Sequence, residues 1–138
     1  MKEDRFFTDH FLSGSAIIIL WFFSILAVSY LSIIPKVETP IDFDNSDKVY
    51  HALAYLWLSF LPYVGFMNKK RALLSALLMI VLGMGLEFCQ IFIPEREASI
   101  PDIIANSIGV IIGIVSGNAL RRFYHGALRA PWVLKSKG

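Results

Sequence analysis

Apolar stretches of about twenty residues, the length a bilayer-spanning helix needs, alternate along this chain with short charged segments. From Gly14 to Ile34 no charged residue interrupts the run, and Pro35 ends it. A second apolar run follows a charged first turn, so the pattern predicts a helix over 45–66, starting near Asp44 to Ser46. A third helix is predicted over 72–93, after a tight basic turn of Asn68, Lys69, Lys70 and Arg71. A fourth is predicted over 101–120, after a short polar loop from Pro94 to Pro101. Residues 35–46 read as a loop containing Pro and Asp. Residues 121–138 read as a basic tail, with Phe123, Tyr124 and Trp132 as interfacial anchors of a short helix. The expected fold is an all-α membrane protein, a four-helix transmembrane bundle in a single domain over 1–138. No repeat and no soluble domain is expected.

Composition supports the bilayer. Hydrophobic residues are 56% of the chain and charged residues 17%, with a mean hydropathy of +0.59. Soluble domains carry about 25% charged residues. A soluble chain this short buries only about two-thirds of the surface it exposes when unfolded, too little to hide so much apolar area. A signal peptide is the competing reading of the first run, but its apolar region would be about 7–15 residues behind a basic segment. The run here is longer, and Glu3, Asp4 and Asp9 stand beside Lys2 and Arg5, so a retained helix is expected. The net charge of +2 is too small to imply a nucleic-acid partner. Cys89, the single cysteine, reads as a small hydrophobe. Of the 13 Lys and Arg, only Lys36, Lys48 and Arg96 fall on the side opposite the N-terminal segment, the basic turn and the tail. Basic loops stay in the cytoplasm. Both termini are therefore expected to be cytoplasmic, with the 35–46 and 94–101 loops outside.

Against this apolar background three polar groups stand out, because each charge inside a membrane helix costs about 2.5–3.5 kcal/mol on insertion scales. The first is Asp47, Lys48, His51 and Tyr55, where spacings of four place Asp47, His51 and Tyr55 on one helix face. The second is Glu87 with Gln90. The third is Arg96, Ser99, Asp102 and Asn106, which crosses the last loop into the fourth helix. The topology carries all three to the outward end of the bundle, where they are expected to form one polar pocket. Structural roles compete with this. Ser99 and Asp102 fit a capping box, Asp44 or Ser46 can cap the second helix, and Lys48 can snorkel. Tyr55 can be a packing aromatic, and Glu87 can hydrogen-bond Asn106, Gln90 or Arg96. A stripe of Gly109, Gly113 and Gly117, with Gly83 and Gly85 on the third helix, points to close helix packing inside the bundle, or to a homo-oligomer.

These residues, in this order, resemble the VanZ-like family of bacterial membrane proteins. The resemblance rests on Asp47-Lys48-x-x-His51-x-x-x-Tyr55, on Glu87-x-x-Gln90, and on Arg96-x-x-Ser99-x-x-Asp102-x-x-x-Asn106-x-x-Gly109-x-x-x-Gly113. It implies a bacterial cytoplasmic (inner) membrane protein, related to a member associated with teicoplanin resistance. Three functions follow as expectations. One is binding or handling of a lipid-linked or anionic cell-envelope molecule, with Arg96 and Lys48 on phosphate or carboxylate groups. Another is an intramembrane enzyme acting on a lipid headgroup, with His51 and Glu87 as general base and acid. That reading is the weaker, since no nucleophile motif, H-E-x-x-H or phosphate-binding Gly loop is present. The last is a small structural or accessory subunit. No cofactor and no metal is expected: a metal would have to use His51, Glu87 and Asp102, and their spacing does not demand one.

Overall fold

Each apolar run closes its backbone hydrogen bonds within a helix, as a chain in lipid must. A computed structural model describes residues 2–35, 45–94, 96 and 98–128, with side chains described from Gly14 to Phe123 within that set. It contains α1 (Lys2–Ile33), α2 (Ser46–Gly65), α3 (Lys69–Gln90) and α4 (Ile100–Leu128). Three stretches are long and apolar enough to cross a membrane: Gly14–Ile33, Lys69–Gln90 and Ile100–Phe123. Their outer surfaces carry large exposed apolar side chains, such as Phe22, Phe23 and Leu26 on α1 and Ile111 and Val115 on α4. A surface of that kind is suited to lipid rather than water.

α2 is less apolar, because Asp47, Lys48, His51, three tyrosines and Pro62 lie within it. It is also the most enclosed helix, packing against α1, α3 and most extensively α4. Tyr55, Leu58, Ser59, Leu61, Pro62 and Tyr63 are all buried on it. A helix sheathed by protein does not need an apolar surface on every side.

The element boundaries differ from the sequence expectation in ways that capping explains. The basic turn at 69–71 is the first turn of α3, because the Asn68 side chain accepts from the Lys70 and Arg71 backbone N–H groups at 2.8 and 3.3 Å. That is an N-cap. α3 stops at Gln90 rather than 93, because Ile91, Phe92 and Ile93 tighten into i→i+3 turns, donating to the Phe88, Cys89 and Gln90 carbonyls. α1 begins well before Gly14, at Lys2. α4 continues through Arg121 and Arg122 to Leu128, so this part of the tail is not a separate helix. Lys36, Asp44, Arg129, Trp132, Lys135 and Lys137 lie outside the described residues. Ser46 does not cap α2. The N-cap is Asn45, at φ 64°, with no side-chain capping bond; Asn tolerates that left-handed backbone better than most residues.

Two local devices join the helices. Pro62 has no N–H, so the carbonyl of Leu58, one turn earlier, loses its helical donor. Trp21 on α1 supplies the replacement, with its Nε1 donating to Leu58 O at 2.7 Å in a buried setting. The glycine stripe of α4 lies directly on α2. A Cβ at Gly109 would meet Ala52 O at 2.2 Å, one at Gly113 would meet Leu56 O at 2.5 Å, and one at Gly117 would meet Tyr63 Cβ at 2.7 Å. The stripe is thus consumed inside the chain. Gly83 faces Tyr55 and Asn106, whereas Gly85 faces open space. At the other end of α4, Arg121 donates to the carbonyls of Phe66 (2.9 Å) and Met67, which closes the C-terminal end of α2.

Candidate functional site

The close α2–α4 approach brings the first turns of these two helices together, and the last turn of α3 completes one end of the bundle. His51, Glu87 and Asp102 meet there. One donor atom from each lies within 4.8 Å of the other two. His51 Nδ1 stands 3.8 Å from Glu87 Oε1 and 3.1 Å from Asn106 Oδ1. Glu87 is 2% exposed and Asp102 7%, so neither carboxylate is solvated by bulk water. Asn106 is also buried, and its amide lies beside Gly83, where a side chain would crowd it. Tyr55 is buried one turn below His51, with its ring against Gly83.

Polar partners inside the cluster are few. Glu87 Oε2 accepts the backbone N–H of Ser99 at 3.3 Å. In a capping box that N–H would go to Asp102; Glu87 takes it instead, so the expected box does not form. Ser99 still starts α4 through its carbonyl, which accepts from the Asp102 and Ile103 N–H groups. The Glu87 partner foreseen from sequence was a side chain, and the observed one is backbone. Asp102 is left facing Lys48, whose Nζ is 3.7 Å from Oδ1. That is too long for a hydrogen bond, and Oδ1 is buried with no hydrogen-bond partner among the described residues. Lys48 sits closer to Asp47, at 2.9 Å. Asp47 is exposed and joins the cluster only through Lys48, although it shares a nominal helix face with His51.

Two of the expected pocket residues serve α1. Gln90 Nε2 donates to Ser32 O at 3.0 Å. Arg96 donates to Leu31 O at 3.0 Å and to Ile34 O at 3.2 Å. The last carbonyls of a helix have no intrahelical donors and carry its negative dipole end, which a guanidinium satisfies on both counts. Arg96 makes no ion pair with Glu87 within 4.0 Å among the described residues. Sequence reasoning missed Trp21, Arg121 and the buried Ser59, whose hydroxyl has no partner among the described residues. For Trp21 a signal was present, since Pro62 marks Leu58 O as an orphan acceptor.

Among known proteins, this chain is 27% identical over 119 residues to an uncharacterized protein of Schizosaccharomyces pombe, an alignment covering 84% of this chain and 68% of that protein. No solved structure matches it. Residues 12–121, which take in most of α1 and α4, all of α2 and α3 and every residue of the polar cluster, match the VanZ/LLP1 family. The chain belongs to that family.

Proposed function

We propose that this protein is an integral membrane protein with four spans, α2 included, that binds and handles the polar headgroup of a lipid-linked or other cell-envelope molecule at the His51–Glu87–Asp102 end of the bundle. One observation carries the reading. Three helices each bring an ionisable side chain to a single point, with Glu87 and Asp102 buried and His51 half-buried, where charge is costly to keep. A purely structural bundle has cheaper ways to pack. Lys48, shared between Asp47 and Asp102, is the cation placed to meet a phosphate or carboxylate. Arg96 is already committed to α1, so it contributes by holding the loop rather than by gripping the ligand. A relative in a yeast favours a lipid headgroup over a wall peptide as the ligand. In a bacterial host the protein sits in the cytoplasmic membrane, and a contribution to teicoplanin resistance is the physiological setting suggested by its resemblance to the VanZ-like family.

The basic residues at 69–71 and 121–122 set both termini in the cytoplasm and the cluster at the outer face. Cysteines placed one at a time at Ala98 and Lys70, in a Cys89→Ser background, test this. An impermeant maleimide added to intact cells should label position 98 and spare 70; the reverse pattern contradicts the orientation. The binding claim is tested by native mass spectrometry of protein extracted in mild detergent. The wild type should retain a phosphate-bearing lipid that His51→Ala loses. Identical retention by both would leave the cluster without a role in binding.

A further inference from the structure

The cluster has an unbalanced charge, and its chemistry suggests what balances it. Two carboxylates, Glu87 and Asp102, are held almost wholly out of water. Within 4.0 Å of them, among the described residues, stand only Lys48 and His51 as groups able to be cationic. Lys48 is closer to Asp47 than to Asp102, so its charge is divided. Arg96 is turned to the end of α1. An ionised carboxylate buried without donors is expensive, and Asp102 Oδ1 has none among the described residues. The same three side chains form a converging donor set: one imidazole nitrogen and two carboxylate oxygens, mutually within 4.8 Å. The Asn106 amide oxygen, 3.1 Å from His51 Nδ1, accepts from that nitrogen when it carries a proton, so metal ligation through Nδ1 replaces this hydrogen bond.

We infer that His51, Glu87 and Asp102 bind a divalent first-row metal ion, of the zinc or manganese kind, at this end of the bundle. Imidazole suits zinc and iron, and carboxylates suit manganese and magnesium. The nitrogen donor disfavours magnesium and calcium, which take oxygen ligands. Bonds of about 2.0–2.2 Å bring ligand atoms closer together than 4.8 Å, so binding draws the three side chains inward and tightens the junction of α2, α3 and α4. Three protein ligands leave a position open, as in zinc sites that act on substrates. This inference rests on the reading of the cluster as a functional site, and it gives that site a Lewis acid to which a headgroup oxygen can bind. It departs from the expectation of no metal. On sequence grounds these are the three residues a metal would have to use, but spacing along the chain could not demand one, because they come from three helices.

The test uses the full chain in lipid nanodiscs, loaded with zinc or cobalt(II) and freed of loose metal by gel filtration. Elemental analysis should find about one zinc per chain in the wild type and in Gly85→Ala, whose added methyl meets nothing within 4 Å. His51→Ala and Asp102→Asn should each retain less than a tenth of that. Cobalt(II) should give the intense visible absorption bands of a four- or five-coordinate site in the wild type. Those bands need no variant, so they remain decisive if the substitutions fail to fold. Wild-type protein that leaves the column without metal, or with cobalt spectra of the hexa-aquo ion, overturns the inference. Metal retained equally by His51→Ala, Asp102→Asn and the wild type also overturns it. The lipid-retention measurement separates the two claims. Loss of lipid in His51→Ala with no metal in the wild type upholds the headgroup reading and overturns the metal. Metal bound through His51, with lipid retention indifferent to His51, does the opposite.

Discussion

At the scale of single residues, the polar atoms of this bundle divide into those that satisfy helix backbone and those that do not. Gln90, Arg96, Arg121 and Trp21 each donate to carbonyls that their own helices leave unpaired. Asp102 and His51 have no comparable duty, and Glu87 has one through Oε2 alone, which accepts the Ser99 N–H at the start of α4. The Trp21–Leu58 contact gives a sharp expectation. Trp21→Phe should destabilise the protein by about 1–3 kcal/mol, the cost of a buried acceptor without a donor. Pro62→Ala restores an N–H one turn after Leu58, so the Trp21→Phe penalty should shrink in that background. Unfolding of the four proteins of this cycle in detergent measures it, and an unchanged penalty would show that the ring's packing, rather than its N–H, matters. The division itself was only partly legible. Sequence spacing identified Glu87, Gln90, Arg96 and Asp102 as unusual without distinguishing capping groups from the rest. A capping partner lies on another helix, and spacing within one helix carries no information about it.

At the scale of the helix pair, α4 lies against α2 through bare backbone. Gly109→Ala drives a methyl group into the Ala52 carbonyl, which cannot move without shifting α2. It should cost about 1–3 kcal/mol or more. Gly85→Ala, on α3, meets nothing within 4 Å and should be neutral or stabilising by roughly 0.5–1 kcal/mol, the usual gain on replacing a mid-helix glycine. Thermal melts of the two variants in one detergent compare them directly; equal behaviour would mean that the α2–α4 approach is looser than described. The glycine stripe was visible in the sequence as a period of four, but its partner was not. A period shows which face is small, not which helix faces it. Three apolar runs were equally plain. The start of α3 was misplaced because Lys69, Lys70 and Arg71 look like a turn when the Asn68 cap is overlooked.

At the scale of the molecule, three connections and one enclosed helix put three costly side chains at one point. Helix order alone made that convergence legible from sequence, since α2 and α4 must start at the end where α3 stops. The charge imbalance was not legible, because it depends on Arg96 turning away and on Lys48 being shared. Residues kept for function commonly lower stability, and their neutral replacements raise it. The account therefore stands most directly on Glu87→Gln, which keeps the side chain's shape and removes its charge. Melting temperature and bound lipid should be measured on the same metal-stripped nanodisc sample, because a metal held by the wild type alone would raise its melting temperature. The predicted result is a melting temperature at or above that of the wild type, together with loss of the retained lipid. A protein that melts well below the wild type yet keeps its lipid would show that the cluster is scaffolding, and would contradict the account.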